Sequence, residues 1–373
     1  MQYVGQLLKI DFYPKRIAFC NCQFGIFAEK MLQKLYIRAM NSNSMEVEKT
    51  KICVVGAGAI GTALANVLAH NADLEVILYS IESQVVESIN QNQYNQKYFP
   101  NTKLTWRLHA TSDVTILSEN EFIFLAVPSS VMLDFVLQNK SLLRDNAILI
   151  NMAKGLSKDE HFTVAESIQA NVNQKVATMK GPTFARDLID KIPTAFTLGS
   201  IHEDLFPRFK TMVTGTNVYL DYSNDLRGVE LLSTMKNIYA IATGILDAQF
   251  DSPNLRFMFL TKAFYEMRSI LIHFGGAKKT IFKYCGFGDF GLTALNDLSR
   301  NRTLGLLIGK GFFSENISNM VLEGKNAVTI FSDILSKEDN LTEKFVIINE
   351  LQKVLTQPNY DIPSFVQHIL NDD

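Results

Sequence analysis

The sequence predicts an α/β protein: a doubly wound, mostly parallel sheet over residues 49–224, followed by an all-helical C-terminal domain over residues 225–373. Three observations predict it. Apolar runs of strand length alternate with helical stretches as far as residue 224. A glycine-rich turn, Gly56-Ala-Gly58-Ala-Ile-Gly61, joins the first run to the first helical stretch, the pattern of a Rossmann-type dinucleotide-binding unit. From Asp225 to Gln249 an apolar pattern at helical spacing then runs unbroken by proline.

The first strand is Lys51–Val55 and the first helix Thr62–His70. In the turn between them Gly56 permits the tight bend, Gly58 lets the backbone approach a pyrophosphate, and Gly61 lets the helix pack closely on the strand. Free N–H groups and the helix dipole then face the anion. Glycine is common in turns, so a purely structural turn is the other reading; the flanking strand and helix favour a cofactor. Leu74–Tyr79 is the second strand, with a polar helix at 81–92. No acidic residue stands at the tip of this strand, where Ser80 lies, but Glu82 is near enough to hold a ribose diol. No arginine is nearby to favour a 2′-phosphate, so NAD and NADP both stay open. Further strands are read at Glu121–Val127, ended by Pro128, and at Ala147–Asn151, Lys175–Met179, Thr194–Leu198 and Asn217–Asp221. Helices of the second half follow at Met258–Phe274, Ser299–Ile308 and Leu341–Leu355. The natural cleft lies between the halves, at the carboxyl ends of the strands.

Composition narrows the class. At 373 residues there is room for two domains with proper cores. Hydrophobic content of 47% and charged content of 20% are those of an ordinary globular protein. A net charge of −2 gives no general attraction to nucleic acid or anionic membrane, and no apolar run is long enough for an integral membrane segment. Cys20, Cys22, Cys53 and Cys285 form no zinc pattern and read as reduced thiols of a cytoplasmic protein. The 6 histidines have no metal-ligand spacing, so no metal is expected. Residues 1–48 are basic early, aromatic and without a clear period. They read as an N-terminal extension of unknown role, with Met45 a natural start just before the first strand; a targeting arm is the alternative.

Four groups of residues have the chemistry a cleft would use. Lys154-Gly155 follows the strand ending at Asn151 and is either a solvated loop lysine or a cleft residue. Lys236-Asn237 lies among small and apolar residues in the first long helix. Burial lowers a lysine pKa and suits it to proton transfer at a carbonyl; otherwise the side chain snorkels to the surface. Gly181-Pro182-Thr183-Phe184-Ala185 follows another strand. Pro182 fits a first helical turn, and Thr183 with its neighbouring amides either holds an anion or simply closes a strand-to-helix turn. Gly286-Phe-Gly-Asp289 with Thr293, then Ser299-Arg300-Asn301-Arg302, forms a polar cluster in an apolar context. Either Arg300 grips a phosphate through two parallel hydrogen bonds, helped by Asn301, or Ser299 caps a helix with solvated arginines.

Taken together and in this order, these motifs resemble the bacterial-type NAD(P)-dependent glycerol-3-phosphate dehydrogenases over roughly residues 50–330. The resemblance also rests on Asn95-Gln-Lys-Tyr98-Phe-Pro100, Ala126-Val-Pro-Ser129, Pro193-Thr-Ala195, Gly228-Val-Glu230 and Glu323-Gly324. It implies a Rossmann domain followed by a helical domain, and hydride transfer between NAD(P) and a small phosphorylated substrate. The reaction would interconvert dihydroxyacetone phosphate and sn-glycerol 3-phosphate and feed glycerophospholipid synthesis. By motif, Lys236 is the implied acid/base, with Lys154 and Asp289 fixing the substrate. Gly181, Thr183, Ser299, Arg300 and Asn301 complete the implied substrate set. The implied cofactor set is Gly56, Gly58, Ala59, Ile60, Gly61, Ser80, Lys154, Ala185, Arg300, Val321 and Glu323. A homodimer is an allowed assembly. The chain departs from the family at Ile60, usually aromatic, at Ser233-Thr-Met, at the glycine-poor stretch Asp247–Arg256, and at Lys262-Ala263. Two other readings stand beside this one: a sibling dehydrogenase of another hydroxy or keto acid, and a nucleotide-binding homologue without turnover.

Overall fold

Strand β1, Thr50–Val55, is apolar on both faces because both faces are covered. Ile52 and Val54 enter one core cluster of the sheet, Cys53 and Val55 the other. The computed structural model describes residues 49–157, 163–312, 322–335, 344–357 and 359–371, with 322–326 described by backbone alone. The remaining strands are β2 (Leu74–Tyr79), β3 (His109–Thr111), β4 (Phe122–Leu125), β5 (Ile148–Asn151), β6 (Lys175–Lys180), β7 (Thr194–Gly199) and β8 (Val218–Ser223). Their order is β3-β2-β1-β4-β5-β6-β7-β8, parallel throughout except between β6 and β7. β1 pairs with β2 on one side and β4 on the other, so the winding direction reverses there, the place where open α/β sheets bind ligands.

Helices α1 (Ala59–Leu68), α2 (Ser83–Asn92), α3 (Ser129–Gln138), α4 (Val164–Asn171), α5 (Ala185–Ile189) and α6 (Leu205–Met212) belong to the sheet region. The fold class expected from sequence is the one observed. Two local expectations need correction. β3 was not foreseen, because three residues on a sheet edge are too few to show a period. The first helix starts at Ala59 rather than Thr62, so it begins within the glycine turn itself.

After β8 the chain is helical: α7 (Leu226–Gln249), α8 (Pro253–His273), α9 (Asp289–Leu295), α10 (Arg300–Gly309), α11 (Leu322–Leu335), α12 (Val346–Thr356) and α13 (Ile362–Leu370). α7 is buried almost all round, polar residues included, and forms the axis of the helical core. The second helix of the second half, α8, starts at Pro253, five residues before the expected Met258, with Ser252 as its cap. The glycines of α10 bring it close to the backbone of α7. A Cβ on Gly305 would come within 1.9 Å of the Ile241 carbonyl oxygen, and one on Gly309 within 2.7 Å of that of Ile245. These paired contacts make α10 run alongside α7 in the same direction. Arg300 opens α10, and Lys236 lies within α7, so the two helices that meet here carry both residues.

Candidate active site

The glycine turn is built as its sequence requires. Gly56 has φ +108°, a conformation other residues rarely adopt. A Cβ on Gly61 would meet the Gly56 carbonyl oxygen at 2.0 Å, so the helix can sit this close to the turn only with glycine there. Gly58 faces open space, with no atom within 4 Å of a Cβ placed on it. It caps α1 with no side-chain hydrogen bond and no acidic residue in the first turn. The start of α1 is left without a side-chain cap and with space beside Gly58, which suits the approach of a pyrophosphate. Asn95 holds the turn from beneath, donating to the Ala57 carbonyl at 2.9 Å and to Thr62 Oγ1 at 2.9 Å. Ala59 and Ile60 in this turn pack their side chains on the sheet core.

The chemistry gathers around one carboxylate. Asp289 opens α9 with 0% exposure and accepts from Lys236 Nζ at 2.5 Å and from Lys154 Nζ at 3.1 Å. Lys236 is 4% exposed and also donates to Thr293 Oγ1 at 2.8 Å. It does not snorkel: α7 carries it in the interior. Burial pulls its pKa down to about 7; Asp289 opposes that shift and the neighbouring Lys154 charge adds to it. Lys154, partly open, reaches the Gly181 carbonyl at 3.5 Å, so the loops after β5 and β6 meet here. Thr183 Oγ1 donates to the Ala195 carbonyl at 3.0 Å and accepts from Thr194, which fixes the loop that follows Gly181. Ala185 is the first residue of α5 and packs on the same core cluster as α1.

At the start of α10, Ser299 caps the helix by accepting from the Arg302 amide at 3.3 Å. Arg302 is a buried structural cation: it donates to Asp247 at 2.8 Å and pairs with Asp297. Arg300 is exposed and forms no hydrogen bond or ion pair among the described residues. Asn301 Oδ1 is buried with no partner, a polar atom that a ligand hydroxyl would satisfy. The departures from the family pattern have local reasons. Asp247 gathers Arg256 at 2.6 Å and Arg302, so ion pairs close the turn between α7 and α8 where glycines are usual. Lys262 bonds the Ile369 carbonyl at 3.1 Å near the end of α13.

At the tip of β2, Ser80 Oγ accepts from the Glu82 amide at 3.1 Å. Glu82 itself pairs with Lys97 at 2.6 Å, and both line a hollow of about 540 Å³ beside α2. Sequence reasoning looked for an arginine here and missed Lys97, which lies within Asn95-Gln-Lys-Tyr98. Val321 lies outside the described residues, as does the side chain of Glu323. Sequence reasoning also missed the buried pair of Lys180 and Glu230, whose partners lie on different elements. Among the described residues there is no cluster able to hold a metal ion and no helix long and apolar enough to cross a membrane.

Comparison with known proteins gives the family. The family model for the NAD-dependent glycerol-3-phosphate dehydrogenase N-terminus matches residues 51–205, and that for its C-terminus residues 225–362. Glycerol-3-phosphate dehydrogenase [NAD(P)+] of Methanothermobacter thermautotrophicus is 36% identical over 289 residues, 76% of this chain and 88% of that one. Its counterpart in Halothermothrix orenii is 32% identical over 278 residues, 74% and 81% of the two chains. The crystal structure of the Coxiella burnetii glycerol-3-phosphate dehydrogenase superposes with a TM-score of 0.77 at 28% identity, covering 87% of this chain and 99% of that one.

Proposed function

We propose how this enzyme works from one premise: the chain belongs to the NAD-dependent glycerol-3-phosphate dehydrogenase family. It is an NAD(P)-dependent oxidoreductase that interconverts dihydroxyacetone phosphate and sn-glycerol 3-phosphate. The bound nicotinamide supplies or accepts the hydride at the substrate's central carbon. Lys236 in its ammonium form donates a proton to the carbonyl oxygen during reduction and takes it back during oxidation. A pKa near neutrality makes both forms accessible. Asp289 holds the Lys236 ammonium in place, and Lys154 adds positive charge where the alkoxide develops. Arg300 and Asn301 hold the phosphate and hydroxyl groups, with Ser299 fixing the helix start and Gly181 and Thr183 shaping the opposite wall. The first amides of α1, over Gly58 to Gly61, would hold the cofactor pyrophosphate, and Ser80 would serve its ribose.

The buried Lys236–Asp289–Lys154 cluster carries this reading. The test is oxidation of NADH and NADPH with dihydroxyacetone phosphate, run against a panel of 2-keto acids. Turnover confined to the keto acids would favour the sibling dehydrogenase, and cofactor binding without turnover the inactive homologue. The product is the backbone of glycerophospholipids, so supply of that synthesis is the proposed role. The proposed compartment is the cytoplasm, supported by Cys53 and Cys285 as buried free thiols. The proposed assembly is a homodimer, supported by Phe282, 72% exposed, and Phe287, both edge-on to Phe264; sedimentation measures it.

A further inference from the structure

We infer that Lys180 is a positioning residue for the reaction: by gripping the backbone on both sides of Met152, it sets the loop that delivers Lys154 to Asp289. This rests on the reading of Lys154 as a substrate-holding residue. Lys180 is the last residue of β6, and its side chain has 0% exposure. Its Nζ donates to the Asn151 carbonyl at 3.0 Å and to the Ala153 carbonyl, the residue next to Lys154. Glu230 balances the charge at 3.4 Å from the opposite side.

Glu230 is itself fully engaged. One carboxylate oxygen accepts from Asn151 Nδ2 at 2.5 Å and from Thr178 Oγ1 at 2.7 Å; the other accepts from the Ala165 amide at 2.9 Å. It stands on α7, six residues before Lys236. The Lys180–Glu230 pair therefore ties the ends of β5 and β6 to the helix that carries the acid/base. A buried charge pair is weak evidence for stability, since apolar side chains of equal volume often serve as well. What apolar side chains cannot do is hold two carbonyl oxygens at fixed places, and those carbonyls bracket the approach to Lys154. A misplacement of about 1 Å at such a site is enough to slow turnover as much as 100-fold.

The test compares Lys180→Met, the double variant Lys180→Met with Glu230→Gln, and Lys180→Arg. In Lys180→Met, kcat/KM for dihydroxyacetone phosphate should fall by about 10- to 100-fold, mainly through KM. The pH midpoint of kcat should move upward, because the Lys154 charge that depresses the Lys236 pKa is no longer held beside it. The double variant removes the unpaired carboxylate, so its melting temperature should return toward wild type while KM and the pH midpoint stay displaced. If Lys180→Met does not fold, the double variant carries the comparison; Lys180→Arg, which keeps the charge with a different reach, should show a smaller displacement of the same kind. Wild-type KM and pH midpoint in the folded variants would overturn the inference and leave Lys180 a structural residue. Lys154→Ala separates this from the reading beneath it: if that variant keeps wild-type KM, the role of Lys154 is wrong, whatever Lys180 does.

Discussion

Replacing Lys236 by methionine isolates the proton transfer. Methionine nearly matches the lysine stem in volume, so α7 keeps its packing and no cavity opens. Asp289 is not orphaned, because Lys154 still donates to both of its oxygens at 3.1 and 3.4 Å. The usual penalty for stripping one partner from a buried pair is thereby largely avoided, and the melting temperature should change little. Catalysis loses its acid. General acid–base catalysis contributes about 10²- to 10⁴-fold, which at about 1.36 kcal/mol per decade is about 2.7–5.4 kcal/mol in the barrier. Single-turnover oxidation of NADH by dihydroxyacetone phosphate measures it, with Kd for NADH from fluorescence titration as the control. That Kd should stay at the wild-type value. The residual rate should also lose the pH transition near 7, since the group responsible is gone. A variant that keeps a large part of wild-type kcat, or that keeps the transition, refutes Lys236 as the acid/base.

Arg300→Ala should reduce kcat/KM for dihydroxyacetone phosphate by about 2–5 kcal/mol, mostly in KM, and spare the unphosphorylated ketone; equal losses on both substrates would make Arg300 structural or cofactor-facing. Wild-type reduction should slow as pH rises through about 7 while oxidation quickens, because burial has moved the Lys236 pKa there. The same shift ties stability to pH: the folded-state pKa lies below the ordinary value of 10.5, so the unfolded chain binds more protons between the two and melting temperature should rise with pH from 7 upward; a flat profile contradicts it. Removal of residues 1–44 should leave kcat and melting temperature unchanged, since β1 begins at Thr50 and residues 49–373 form a unit of their own; a marked loss of either sinks the reading of the segment as an extension.

The sheet was legible because buried parallel strands are written as continuous apolar runs, and residues 122–125 or 148–151 admit little else. The Ser252-Pro253 start of α8 was legible too, as a cap followed by proline, but the apolar pattern drew attention downstream. Within the site, Lys154, Lys236 and Asp289 each stood out as single residues. Their meeting could not be read from spacing, because Asp289 lies 53 residues from Lys236 and 135 from Lys154. Lys180 carried no signal at all. It lies just past the strand expected at Lys175–Met179, and its burial against Glu230 is visible only in the fold. Arg302 misled, reading as a solvated neighbour of Arg300 when it is held by Asp247 and Asp297.

The glycine-mediated contact between α7 and α10 bears on substrate selection. Gly305 and Gly309 let the two backbones approach closely, which holds α10, the helix opened by Arg300, against α7, the helix that carries Lys236. The cofactor turn belongs to the sheet and lies outside this helix pair. The span between the proposed phosphate grip and the proposed proton donor is then set within the helix pair. The two helices then act as a gauge of molecular length. A ketose phosphate whose carbonyl lies one carbon farther from its phosphate would anchor normally yet present the wrong atom to Lys236, and would bind as an inhibitor instead of reacting.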